Sequence, residues 1–413
     1  MNSSSGLQAV KILVCLGACG LVAVSIPACG NSDSRAPAGS AGTSGSVATN
    51  GGGAGSPSGG KAAGGSGGTP GSSSGGNSGS THVVAMLQSP MAQATDLTTS
   101  EVADLVGRAV SQAGGLDFIK NGQTVVLKPN LPTVYQDNGE TLASPTVSGI
   151  NTDWRVAKAV ADLVRAKNPT GKVLVMEGST FATTIAYASL GYTSENFGSS
   201  VDEFIALEGA SCTDTSTAAL EQRRGRSGKQ YWVDRRYLMA DVIISIPTLA
   251  TDAWAGIGGA VESMGIGATP AGQYSSGENS NDCTRTKIDR STPETSGEFI
   301  RDYYEIKPAD FVVMDGLQGL EHGPLPIFDQ STSDYASSTK NMRLVLAGRN
   351  AVAVDTTMTL VMKCDPKKVP HLIKLEADGL GTTDGAQITV IGTQVNDVAK
   401  PFAGRQTEIC PGK

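Results

Sequence analysis

Short apolar runs, rich in Val, Ile and Leu, occupy residues 83–87, 124–128, 172–176, 204–207, 241–246, 311–314, 344–346 and 388–391, each bounded by polar or glycine-containing sequence. Runs of this length and composition predict buried strands. Between them the period changes. Thr98 and Glu101 stand at capping-box spacing, and Val102, Leu105, Val106, Ala109, Val110 and Ala113 then recur at helical intervals until Gly114 and Gly115. A second amphipathic helix begins near Asp153, carries Val156, Val160, Leu163 and Val164 on one face, and stops before Asn168 and Pro169. Further helices are expected over about 351–362 and 369–377. Strand and helix in alternation predict an α/β fold, a mostly parallel open sheet with helices on both faces. Residues 268–297, polar and glycine-rich, break the pattern and predict an insertion over the sheet edge.

The first 80 residues follow neither period. An apolar run over 12–24 with Lys11 before it and small residues leading to Cys29 predicts an export signal over 1–29. Ile26, Pro27, Ala28 and Cys29 resemble the lipobox of bacterial lipoproteins, which makes Cys29 the expected lipidation site. The run is short of the roughly 20 residues that span a bilayer, which disfavours an uncleaved anchor. Residues 30–80 are almost entirely Gly, Ser, Ala, Thr and Asn. Too little apolar surface is available there to offset backbone entropy, so a disordered tether is expected, with 81–413 as a single α/β domain. The residue after Cys29 is Gly30 rather than an inner-membrane retention aspartate, and outer-membrane or cell-surface anchoring through the lipid follows. The formal net charge is −7, and three of the four charged residues before position 81 are basic (Lys11, Arg35, Lys61 against Asp33), so the folded part is more acidic still. Such a balance argues against nucleic acid as a partner.

Export changes the meaning of the cysteines. Cys15 and Cys19 lie in the signal, and four remain beyond Cys29: Cys212, Cys283, Cys364 and Cys410. An oxidising compartment allows three pairings of four cysteines. Cys212 and Cys283 both sit in polar, loop-like sequence, whereas Cys364 ends a helix and Cys410 lies in the tail, which favours 212 with 283 and 364 with 410. No pair has CxxC spacing, so neither a zinc nor an iron–sulfur site is expected; the cofactor is unknown.

Parallel sheets bind ligands beyond the carboxyl ends of their strands. The polar groups that first appear there are Lys128 and Asn130, Glu177 and Ser179, Asp252, Asp315, Glu321 and His322, and Asp355. Lys128, Glu177 and His322 are the catalytic candidates, since a lysine facing a carboxylate exchanges protons once burial moves both pKa values, and a histidine titrates near neutrality. Asn130, Ser179, Asp252, Asp315, Glu321 and Asp355 are the ligand-binding candidates. A plainer role stands beside each: a structural ion pair for Lys128, a turn-stabilising carboxylate for Glu177 and Asp315, a simple hydrogen bond for His322. Glu177, Asp315 and Glu321 would together suit a hard cation, but no spacing demands one and no metal is assigned. Gly256, Gly258 and Gly259 lie some ten residues past the strand end at Ile246, too far for a dinucleotide turn, and are read as close packing at a helix start.

Taken in order, residues 125–130, 173–179, 240–247, 312–324, 344–355 and 365–384 resemble the family called domain of unknown function 362. Leu-Lys-Pro-Asn at 127–130, Asp-Gly at 315–316 with Gly-Pro at 323–324, and Ala-Val-Asp at 353–355 carry the likeness. The resemblance implies a fold and little chemistry. Some relatives carry ferredoxin-like modules, which this chain lacks. It also departs from the family: where Pro-Lys-x-Lys-x-His is usual, residues 247–252 read Pro-Thr-Leu-Ala-Thr-Asp, and a later Lys-Asn is replaced by Glu262 and Ser263. These losses predict a weakly negative mouth, and with it either a neutral or cationic ligand or the loss of the ancestral activity. Two functional classes remain. One is a small-ligand binder, with or without catalysis, whose strand-end residues meet in a pocket; the other is a non-catalytic surface domain for protein or glycan, with a filled mouth and an exposed apolar patch.

Overall fold

Apolar runs with branched side chains become strands wherever the sequence predicts them. The computed structural model of the protein describes residues 82–133, 146, 148–276, 282–324 and 335–412; the expectations for the signal, the tether and Cys29 lie outside these residues. In chain order the strands are β1 (His82–Gln88), β2 (Thr124–Pro129), β3 (Lys172–Glu177), β4 (Glu203–Ala206), β5 (Leu220–Arg224) and β6 (Gln230–Asp234). Then follow β7 (Val242–Ile246), β8 (Thr248–Asp252), β9 (Gly256–Ile257), β10 (Phe311–Leu320), β11 (Thr339–Gly348) and β12 (Ile388–Gly392). The main sheet runs β12-β1-β11-β10-β7-β2-β3-β4 across, with β8 and β9 attached beside β10 and a separate β5-β6 hairpin.

Five of the seven pairings along that sheet are parallel: β12 with β1, then β10, β7, β2, β3 and β4 in succession. The departure is β11, which is antiparallel to both β1 and β10. The sequence places a strand there but carries no mark of its direction, because direction is set by the path of the chain between strands.

Period-two alternation divides the sheet's side chains between two cores. Val125, Leu127, Val173, Val175 and Ile244 pack on one face beneath the helices Thr99–Gln112 and Trp154–Lys167. Val126, Met176, Ile243, Met314 and Leu346 pack on the other, under the helices Ala260–Gly265, Pro293–Ile306, Ala351–Val361 and Pro370–Ala377. The capping box at Thr98 is formed, with the Glu101 amide donating to Thr98 Oγ1 and the Thr98 amide to Glu101 Oε2. Gly114 and Gly115 end that helix at φ of +96° and +70°, a conformation that costs glycine least.

Two disulfides join Cys212 to Cys283 and Cys364 to Cys410, the pairs that loop and helix placement favours. The first ties the polar segment that follows β9 to the chain just beyond the edge strand β4. The segment's Cys283 amide donates to Thr180 O and its Arg285 side chain reaches Ser179 O, so it crosses the carboxyl end of β3.

Candidate functional site

Lys128 closes β2 on the face of Val126, where the sheet meets the helix Ala260–Gly265. Its Nζ donates to Glu177 Oε2 at 2.6 Å, to Pro129 O at 2.7 Å and to Ser263 Oγ at 3.4 Å. Both members of this ion pair are sealed from solvent, at 0% and 2% side-chain exposure. Gly267 lies directly over them: a Cβ there would stand 2.8 Å from Lys128 Nζ, so a larger residue would displace the pair. Burial pushes the Lys128 ammonium down and the Glu177 carboxyl up, and their mutual attraction opposes both shifts. The ionised and neutral forms of the pair are therefore brought closer in energy than in water, which suits proton exchange.

Glu177, but not Lys128, lines a cavity of about 430 Å³ bounded by the ends of β2, β3 and β8 and by the segment after β9. That volume lies in the range of small-molecule sites. Asn130, Glu177 and Asp252 face it. Asn130 is held by Ile150 O and Thr248 Oγ1, and Asp252 Oδ1 accepts the amides of Trp254 and Ala255. Asp355 lies one layer behind, accepting the amides of Ala260 and Val261 at 2.7 and 2.9 Å. It thereby caps the short helix that carries Glu262 into the cavity. Gly259 is needed for this contact, because a Cβ would come 2.4 Å from Asp355 Oδ1; the glycine cluster is close packing at a helix start. Ser179 is buried beneath the wall, its hydroxyl donating to Leu131 O.

Asp315, Glu321 and His322 are not brought to the cavity lining. Lys128 is level with Ser245, and Ser245 with Val312. Asp315 is three residues beyond Val312, an odd step, and so points to the opposite face. There its Oδ2 accepts the Asp153 amide, beside the Asp153–Arg155 ion pair. Burial, and then the negative Asp153, push Asp315 up to about 7. Glu321 pairs with Lys340 at 2.6 Å and accepts the Ala403 amide. The His322 amide donates to Ala403 O, at a φ of +59°. Glu177, Asp315 and Glu321 consequently do not converge as a cation site would require.

Four residues that sequence reading left out of the site complete the cavity: Trp254, Glu262, Arg285 and Arg290. Glu262 is pushed up to about 8, first by burial and next by the charge of Asp252. It therefore holds a proton at neutral pH. Arg285, fully buried, donates to Thr269 O, Ser179 O and Cys283 O; desolvation draws it down to about 10. The Arg290 guanidinium sits 5.1 Å over the Trp254 ring. The mouth is thus not the weakly negative one that residues 247–252 and Glu262 suggest, because two arginines enter it from a different element. The only sequence signal for them was Cys283, whose disulfide pins the segment two residues before Arg285.

Fold and cavity define the class: an α/β protein with a mixed open sheet and a strand-end pocket. The chain belongs to the family described as Domain of unknown function (DUF362), which matches residues 125–359, more than half of the sequence. No curated protein matches it. Among solved structures, the lactate racemase apoprotein from Thermoanaerobacterium thermosaccharolyticum is similar at 12% identity and a TM-score of 0.35, over 65% of this chain and 54% of that one. This chain thus spans about half the length of that structure.

Proposed function

We propose that this protein is a cell-envelope lipoprotein whose α/β domain binds a small organic molecule at the carboxyl ends of its strands. The observation that carries this reading is the 430 Å³ cavity, lined by Glu177, whose buried partner Lys128 lies behind the wall. An open cavity supports a ligand site over a surface domain with a filled mouth; of the exposed large hydrophobics, Val83 and Ile391 lie on the paired strands β1 and β12, and Ile185, Met239 and Ile373 on three different helices. Any chemistry on the ligand would be proton transfer, with Lys128 and Glu177 exchanging one proton and Glu262 donating another.

Gly258 offers a clean test, since it lines the cavity and an added Cβ would meet nothing closer than 3.9 Å. Native mass spectrometry of the full-length protein is expected to show a small-molecule adduct that denaturation releases and that Gly258→Leu lacks while melting normally. An adduct retained by Gly258→Leu would place the ligand elsewhere. The anchor is tested separately: the wild type should partition into detergent and Cys29→Ser should not. A wild type that fractionates as fully soluble would overturn the anchor and leave the pocket untouched.

A further inference from the structure

Arg285 and Arg290 are set in the cavity wall in an unusual electrostatic condition. Among the described residues no carboxylate lies within ion-pair distance of either guanidinium. Arg285 spends its donors on the neutral oxygens of Ser179, Cys283 and Thr269. Arg290 donates to Thr284 O at 3.1 Å, and its buried Nε makes no hydrogen bond. The carboxylates that act on them do so from further away, Glu177 and Glu208 on Arg285 and Asp252 and Glu262 on Arg290. What the geometry leaves open is the Arg290 Nε, a buried guanidinium donor on the cavity wall with no acceptor, and a charged acceptor satisfies such a donor best. The rest of the lining includes Ile150, Ile266, Ile288 and Trp254.

We infer that the ligand of this cavity is an organic monoanion, its carboxylate-like group held by Arg290 and its hydrocarbon body lying against Trp254 and the isoleucines. The assignment rests on the proposed ligand site and adds its charge class. Guanidinium forks match a carboxylate in geometry, and the unused Nε of Arg290 supplies one donor of such a fork.

The test uses three probes of one shape, 3-phenylpropionate, 3-phenylpropionamide and 3-phenylpropylamine, titrated calorimetrically into the full-length protein in lipid nanodiscs, with Gly258→Leu as the blank for partitioning. The carboxylate is expected to bind about tenfold or more tightly than the amide, the usual yield of one charge-assisted contact. Arg290→Gln should erase that preference, and Arg290→Lys, which keeps the charge, should retain part of it. Amide or amine binding as tight as the carboxylate would overturn the anion assignment and leave the pocket standing; a preference that survives Arg290→Gln would overturn the assignment of the anion to Arg290. If none of the three separates wild type from Gly258→Leu, the assignment and the ligand site both fall.

Discussion

Lys128 lies behind Glu177 as a fully buried cation, and its cost is met by one carboxylate at 2.6 Å, one carbonyl and one hydroxyl. Removing one partner of such a pair strands the other charge in a medium of low polarity, at a typical cost of about 3–5 kcal/mol, whereas replacing both with apolar groups costs far less. Lys128→Met is therefore expected to lower unfolding stability by about 3–5 kcal/mol, and Lys128→Met with Glu177→Leu to recover most of the loss. Urea unfolding of the two variants checks this. An unchanged midpoint for Lys128→Met would mean that Glu177 is already neutral in the native state. Position 128 was legible in the sequence because a lysine between an apolar run and a proline has to emerge at a strand end. Its partner Ser263 was not legible as one, since its helix is held over the sheet by distant parts of the chain, capped by Asp355 and packed against Ile300.

The element that decides the character of the site is the polar segment after β9. Its described residues contribute no strand to the sheet, and it is held by the Cys212–Cys283 bond, which spans 71 positions, and by the Arg285 hydrogen bonds. Loss of a cross-link of that length is worth about 4 kcal/mol in the chain-entropy account. Cys283→Ser is expected to lower the melting temperature, to open residues 268–292 to protease and to weaken carboxylate binding, because both arginines ride on the released segment. Limited proteolysis with calorimetry measures all three. Binding unaffected by Cys283→Ser would show that the arginines are positioned by other contacts. Sequence reading found the disulfide and the polarity of the segment but not its destination. Two cysteines in polar sequence announce a bond, and only the fold says that one of them lies beside the end of β3.

At the scale of the whole molecule, buried titratable groups outside the ion pairs set how stability varies with pH. Glu262 is raised to about 8 and Asp315 and Asp355 to about 7, chiefly by burial, while burial lowers His371 to about 3. A carboxyl raised in the folded state binds a proton that the unfolded chain has released, so its contribution is complete at low pH and lost as pH climbs through the folded value. The histidine acts the other way, losing its contribution below about 6.5, the ordinary value for an unfolded histidine. Between pH 5 and 8 three carboxyls outweigh one histidine, and stability is expected to fall with rising pH, by roughly 1.4 kcal/mol per unit for each whole proton of difference. Glu262→Gln should flatten the slope, most of all above pH 7. Denaturant unfolding at several pH values tests this, and stability rising across the window would contradict it.

What the sequence determined by itself was local: where eight of the strands and four of the helices form, where the first helices are capped, that Lys128 emerges at a strand end, and which cysteines are suited to pair. These follow from hydrophobic period and backbone preference, which a few neighbouring residues decide. The tertiary structure alone decided that β11 runs against its neighbours, that Asp315 turns away from Lys128 to the other face, and that Arg285, Arg290 and Glu262 join Glu177 around one cavity. In a sheet each residue along a strand reverses the face, so which polar groups meet depends on registers set by pairing between distant segments, and no short stretch of sequence contains that information.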